Sequence, residues 1–185
     1  MVTTASLPPD LGQPAPDFTL PDPSGRRWSL DDLRGARGTL VMFICNHCPY
    51  VLGAIDRITR DARDLQAAGV GVVAISANDV GAYPQDGPDH MARLARDHGF
   101  TFPYLYDETQ SVARAYGAVC TPDFFGYNAA GRLCYRGRLD AGGRQPPAPG
   151  APRELYQAMR DIALTGQPPA RQMPGMGCSI KWKRP

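Results

Sequence analysis

The sequence predicts an α/β fold with a central mixed sheet flanked by helices. Three observations predict it. Short apolar runs of strand character, at 38–44, 70–76 and 102–106, alternate with stretches of helical spacing. The chain then adds two strands, Asp123 to Tyr127 and Arg132 to Arg138, joined by a turn at Gly131, which supplies a final antiparallel pair. The length of 185 residues, 43% hydrophobic and 21% charged, suits one globular domain.

Taken in order, residues 1–11 read as a flexible leader. Phe18 and Leu20 alternate on one face, Pro23-Ser24-Gly25 is a turn, and Arg26 to Leu30 is a second short strand, so an N-terminal hairpin is expected. Asp31 to Arg34 is a polar helical turn stopped by Gly35. The strand 38–44 follows. Ile55, Ile58, Ala62 and Leu65 then recur at helical spacing, with Gly69 as the stop. Val70 to Ser76 is continuously apolar, as a parallel strand covered on both faces must be.

Asn78 to Asp89 is a loop broken by Gly81, Pro84, Gly87 and Pro88. Pro88 opens a helix through Met91, Leu94, Ala95 and His98, ended by Gly99. Phe102 to Tyr106 is a strand, and Asp107-x-x-Gln110 resembles a capping box for a short helix, with Asp107 as its cap. Residues 141–152 are a Gly/Pro-rich loop, and Leu155, Ala158, Met159 and Ile162 mark the last helix. The main domain is expected over 12–166. Residues 167–185 form a tail whose Ile180 and Trp182 favour docking.

Composition excludes several function classes. The net charge is +2, and the one basic cluster, Lys181, Lys183 and Arg184, reads as a solvated terminus rather than a nucleic-acid surface. No apolar run approaches ~18 residues, so no membrane span is expected. Met1 to Leu11 lacks the charged and apolar regions of a secretory signal, so a cytoplasmic location is expected. Five cysteines do not suggest a disulfide scaffold in a chain of this size.

The chemistry concentrates at Cys45-Asn46-His47-Cys48, a C-x-x-C pair between the first long strand and a proline-led helix. That context reads as redox chemistry rather than as half a zinc site. A cysteine at a helix N-terminus faces unpaired N–H groups and the positive end of the helix dipole, which favour the nucleophilic thiolate. Cys45 therefore reads as the attacking sulfur, and Cys48, about a turn on and more buried, as the resolving one. His47 is read two ways: as an imidazolium that lowers the Cys45 pKa, or as an exposed residue at the helix start.

This site resembles the thioredoxin superfamily. Cys-Asn-His-Cys-Pro-Tyr-Val resembles its redoxin branch, the AhpC/TSA- and TlpA-like groups, as does the opening Gly-x-x-Ala-Pro-x-Phe at Gly12 to Phe18. The stretch 88–117 resembles the helix–strand insertion of those groups. Ile44 stands where thioredoxins carry a tryptophan, and Asn46 where the DsbA oxidants carry the proline of their Pro-His pair. The resemblance implies a thioredoxin-like fold, no cofactor and no resident metal. It implies a cis peptide at Thr121-Pro122, whose neighbours pair with an extended substrate chain. It also implies a disulfide-bearing protein or a small thiol or peroxide as substrate, with a separate electron donor.

The other cysteines divide. Cys120, two residues before Pro122, is either a third redox thiol or a buried inert one. Cys178 lies in Gly-Cys-Ser-Ile-Lys-Trp and is either a folded-back resolving thiol or an exposed tail cysteine. Cys134 reads as a strand residue. The buried carboxylate of thioredoxins has no counterpart near Thr39, so Asp79 and Glu108 are the candidate proton acceptors. Arg138 and Asp140 read as ion-pair formers.

The leading expectation is a thiol–disulfide oxidoreductase. The alternatives are a thiol peroxidase with an antioxidant role, passing through a sulfenic acid, and a copper or zinc carrier using Cys45, Cys48 and His47 with Cys120 or Cys178. Against the peroxidase, the Pro-x-x-x-Thr-x-x-Cys pattern of peroxiredoxins is absent, Gly38 and Met42 standing in those places.

Overall fold

The computed structural model describes residues 3–184. In chain order these form β1 (Thr3–Ala5), β2 (Thr19–Pro21), β3 (Arg27–Ser29), α1 (Leu30–Leu33), β4 (Gly38–Phe43), α2 (Pro49–Leu52), α3 (Ile55–Ala67) and β5 (Gly71–Ser76). A 3₁₀ turn at Pro84–Asp86 precedes α4 (Pro88–Asp97), β6 (Tyr104–Tyr106), α5 (Ser111–Ala115), β7 (Cys120–Thr121) and β8 (Asp123–Asn128). β9 (Leu133–Tyr135), α6 (Glu154–Thr165) and β10 (Met176–Ser179) complete the chain.

β4 is the central strand of a five-stranded sheet ordered β6-β5-β4-β8-β9. β5 runs parallel to it and β6 parallel to β5, whereas β8 and β9 are antiparallel, so the expected mixed sheet is present. Strand side chains point alternately to opposite faces. Leu40 and Met42, with Ile44 beyond them, enter one apolar layer, while Val41 and Phe43 enter the other. Burial on both faces leaves no polar alternation, which is why the sequence shows an unbroken apolar run.

The first layer is closed by α3, through Ile55, Ile58, Ala62 and Leu65, and by α6, through Leu155, Ala158, Met159 and Ile162. Helix and sheet approach closely at Gly126, where an added Cβ would collide with the Met159 sulfur. The second layer is closed by the β2–β3 hairpin, α1 and α5, with the Tyr116 ring edge-on to Phe43 and Phe125 at 5.5 and 5.6 Å. α1 is opened by Ser29 and Asp32, which cap each other's backbone N–H groups.

Several local expectations are corrected. Residues 3–5, inside the stretch read as a flexible leader, form β1 and pair with β10; residues 1 and 2 lie outside the described residues. Asp107 and Gln110 do not form a capping box. Gln110 is itself the N-cap of α5, at φ 63, and its amide donates to the carbonyls of Ala77 and Lys181. Asp107 instead accepts the N–H of Ala113. β9 stops at Tyr135 because the next backbone donors turn away, Arg136 to the Gln172 side chain and Arg138 to the Met173 carbonyl. The tail after residue 166 is docked: β10 lies between β1 and β7, and Ile180 enters the second layer. No helix among the described residues is long and apolar enough to cross a membrane.

Candidate active site

β4 delivers the chain to the site. The last tie to the sheet is the N–H of Ile44, donated to Ile75, and Cys45 follows. The proline-led helix begins as expected: α2 starts at Pro49, Cys48 is its N-cap, and Gly53 separates it from α3. Cys48 rather than Cys45 therefore stands at the helix start, its sulfur facing the N–H groups of Val51 and Cys178. Both cysteines are buried, Cys45 at 1% exposed and Cys48 at 0%.

Thr121 serves both sulfurs. Its Oγ1 lies 3.3 Å from Cys45 Sγ, and its carbonyl oxygen lies 3.1 Å from Cys48 Sγ. The Thr121-Pro122 peptide is cis. On the far side of Cys48 stands Cys178, with the two sulfurs 2.7 Å apart. β10 brings it there by placing Cys178 opposite Thr121 of β7 in antiparallel register.

The turn between the cysteines is held by a carboxylate that the sequence reading missed. Asp86, fully buried, accepts the N–H of Asn46 at 2.8 Å and the side-chain N–H of Asn78 at 2.8 Å. Asn46 also donates to the Gln85 carbonyl and accepts from the Tyr104 hydroxyl. His47 Nδ1 is 2.6 Å from Asp86 Oδ2. The imidazole stacks on Tyr83 with centroids 5.4 Å apart. Neither Asp79 nor Glu108 takes the role considered for it: Asp79 caps the N–H of Gly81, and Glu108 is exposed. Asp86 sits among loop-breaking residues with no periodicity; the only signal was a cluster of Asn and Asp between a buried strand and a proline-led helix.

The electrostatics follow from these contacts. The Cys45 thiol is pushed up by its hydrogen bond to Cys48, by burial and by the Asp86 charge. Cys48 is brought down to about 5 by the hydrogen bond from the Cys45 thiol, helped by the Cys178 thiol and the facing N–H groups. Of the two, Cys48 is therefore the more acidic thiol and Cys45 the less acidic. The helix start at Cys48 and the buried carboxylate near Cys45 both weigh against a resting thiolate at Cys45, where the sequence reading expected one.

The remaining candidates fall outside the pair. Cys120 is fully buried, 3.9 Å from Ser6 Oγ and 3.6 Å from the Pro122 carbonyl, and burial and Asp123 push its thiol up to about 12. Cys134 is buried in β9 and donates toward Gly166. Arg138 pairs with Glu154 through two hydrogen bonds, and Asp140 pairs with Arg57. Both line a cleft of ≈ 160 Å³ beside Pro122, with Tyr50, Phe124 and Met176. Cys45, His47 and Asp86 offer ligand atoms within 4.8 Å of one another, the one such group among the described residues. Thr121 engages Cys45, and Asn46 engages Asp86.

The AhpC/TSA family model matches residues 11–137, from the approach to the hairpin through β9. The chain belongs to the AhpC/TSA family. Among its relatives is a Mycobacterium tuberculosis protein provisionally named a peroxiredoxin, 32% identical over 131 residues, which cover 71% of this chain and 77% of that one. The thiol-disulfide oxidoreductase ResA of Bacillus subtilis is 25% identical over 122 residues, covering 66% and 64% of the two chains. An uncharacterized conserved protein from Geobacillus kaustophilus has a solved structure with a TM-score of 0.91 at 43% identity, covering 100% of this chain and 98% of that one. The fold of this AhpC/TSA chain is thioredoxin-like, shared at a TM-score of 0.63 with a solved thioredoxin domain. The family match stops before β10, so Cys178 belongs to the part it does not describe.

Proposed function

We propose that the protein is a thiol–disulfide oxidoreductase in which Cys45 attacks and Cys48 resolves. The observation that carries this reading is the placing of the Cys45 and Cys48 sulfurs against the hydroxyl and the carbonyl of Thr121, beside a cis proline. On arrival of a disulfide, the proton of Cys45 passes to the more acidic Cys48. The Cys45 thiolate, held by the Thr121 hydroxyl, displaces one substrate sulfur as thiolate and leaves a mixed disulfide. Cys48 then gives up its proton and attacks Cys45 Sγ, releasing the second substrate sulfur. The substrate is reduced by two electrons, and the pair becomes a disulfide.

The cleft beside Pro122 suits an extended chain carrying the target disulfide. An external thiol reductant closes the cycle, and the cytoplasm is the compartment that supplies one.

A second reading, a thiol peroxidase, is favoured by the peroxiredoxin-named relative. It uses the same Cys45, oxidised to a sulfenic acid that Cys48 condenses with, releasing water.

The test is a trap. With oxidised glutathione, the Cys48→Ser protein should accumulate one glutathione on Cys45, whereas Cys45→Ser should form no adduct at position 48. Absence of any adduct on Cys45 would overturn the assignment. The same proteins with hydrogen peroxide separate the two readings: a peroxide reaction faster than disulfide exchange selects the peroxidase.

A further inference from the structure

The proposed reaction uses two sulfurs, and the structure holds three in a row. Cys45 and Cys48 meet the hydroxyl and the carbonyl of one residue, Thr121, and Cys48 is in contact with Cys178 at 2.7 Å. Cys178 is not a tail cysteine that happens to be near. It lies within a strand paired on both sides, with Thr3 of β1 opposite it on one edge and Thr121 of β7 on the other. Its neighbour Gly177 packs so closely on the Thr121 carbonyl that a Cβ would collide with it. Thr121 is the residue that touches both Cys45 and Cys48, so the strand pairing that seats Cys178 is referenced to the site itself. The side chain is buried, and the N–H of Tyr50 in α2 faces its sulfur.

We propose that Cys178 is a third redox residue, which takes over the disulfide from Cys45–Cys48 so that the resting oxidised protein carries a Cys48–Cys178 bond and a regenerated Cys45 thiol. This rests on the thiol–disulfide reading given above. The step is an internal exchange. The Cys178 sulfur, on losing its proton, bonds to Cys48 Sγ; the Cys45–Cys48 bond breaks; Cys45 leaves as a thiolate and takes up the proton. One disulfide is exchanged for another, one thiol is consumed and one formed, and no oxidant or reductant enters.

Burial pushes the Cys178 thiol up to about 12, and the nearby Lys181 charge opposes that. The attack needs that proton to leave, and the departing Cys45 sulfur is its acceptor. The consequence is a division of labour. Cys45 is returned to the substrate side, while the oxidising equivalent moves toward β10, where Met176 reaches the cleft beside Pro122.

The test is disulfide mapping on the full wild-type chain. The reduced protein is treated with one equivalent of oxidised glutathione, left to equilibrate, quenched in acid, alkylated with N-ethylmaleimide and digested without reduction. The expected result is that a Cys48–Cys178 peptide pair is the larger disulfide species and that Cys45 is alkylated. In Cys178→Ser that species is lost and the Cys45–Cys48 bond takes its place. A wild-type protein whose larger species is Cys45–Cys48 overturns the relay but leaves the two-cysteine reaction standing. A protein that forms neither bond overturns both.

Discussion

His47 Nδ1 stands 2.6 Å from the buried carboxylate of Asp86, and that same carboxylate caps the N–H of Asn46, so one side chain fixes both residues between the cysteines. Its charge also holds the Cys45 thiol up. Asp86→Asn should therefore make Cys45 more acidic. Iodoacetamide alkylation of Cys45 at pH 7, in a Cys48→Ser background, should rise roughly tenfold, equivalent to about 1.4 kcal/mol. The fold should pay with ~1–3 kcal/mol of urea stability, because an amide nitrogen would face the donors of Asn46 or Asn78. An unchanged alkylation rate would remove Asp86 from the electrostatics of the site.

Thr121→Val keeps the shape and the carbonyl but deletes the hydroxyl 3.3 Å from Cys45 Sγ. A hydrogen bond to a charged group contributes about 1.5–3 kcal/mol, so kcat/KM for disulfide exchange should fall roughly 10–100-fold. The acidity of Cys48 should change little, since its contact is to the carbonyl oxygen.

Stability of the reduced protein should depend on pH through the pair. The Cys48 thiol is depressed to about 5 from an ordinary value of 9.0. The unfolded chain then binds more protons than the native one between those values, and stability rises with pH across that window. Above it the raised Cys45 acts in the opposite sense, because the unfolded thiol ionises while the native one stays protonated. Urea midpoints at pH 5, 7 and 8.5 under reducing conditions should climb, and Cys48→Ser should flatten the climb.

Gly177→Ala tests the seat of β10. The new methyl would collide with the Thr121 carbonyl, so β10 must shift, at about 1–3 kcal/mol for overpacking. The Cys48–Cys178 disulfide should be lost from the oxidised protein, while the glutathione adduct on Cys45 in Cys48→Ser persists.

What could be read from the sequence was whatever has a local period or a local motif. The apolar run Leu40 to Ile44, the helical repeat Ile55–Ile58–Ala62–Leu65 and the C-x-x-C between them are of this kind, and the strand, helix and cysteine pair lie where they were expected. The cis peptide at Thr121-Pro122 followed from family resemblance. What was not legible depends on residues far apart. β1 is three residues, Thr-Thr-Ala, with no apolar alternation, and exists because β10 supplies its partner. Asp86 lies in a Gly/Pro-broken loop, and only the folding of that loop over Asn46 gives it a role. The proline-led helix was legible, but Cys45 was set at its N-terminus, whereas Pro49 as first helical residue makes Cys48 the cap, three residues on.

Cys48 and Cys178 are separated by 130 residues, whereas Cys45 and Cys48 are three apart. A bond across the longer span encloses most of the chain and would remove about 4–5 kcal/mol of disorder from its unfolded ensemble in the loop-entropy picture; a three-residue ring removes far less. Moving the disulfide between them would therefore convert electrons into thermal resistance. By the same linkage, unfolding would make that bond easier to reduce, so that heat or denaturant would make the protein a stronger oxidant.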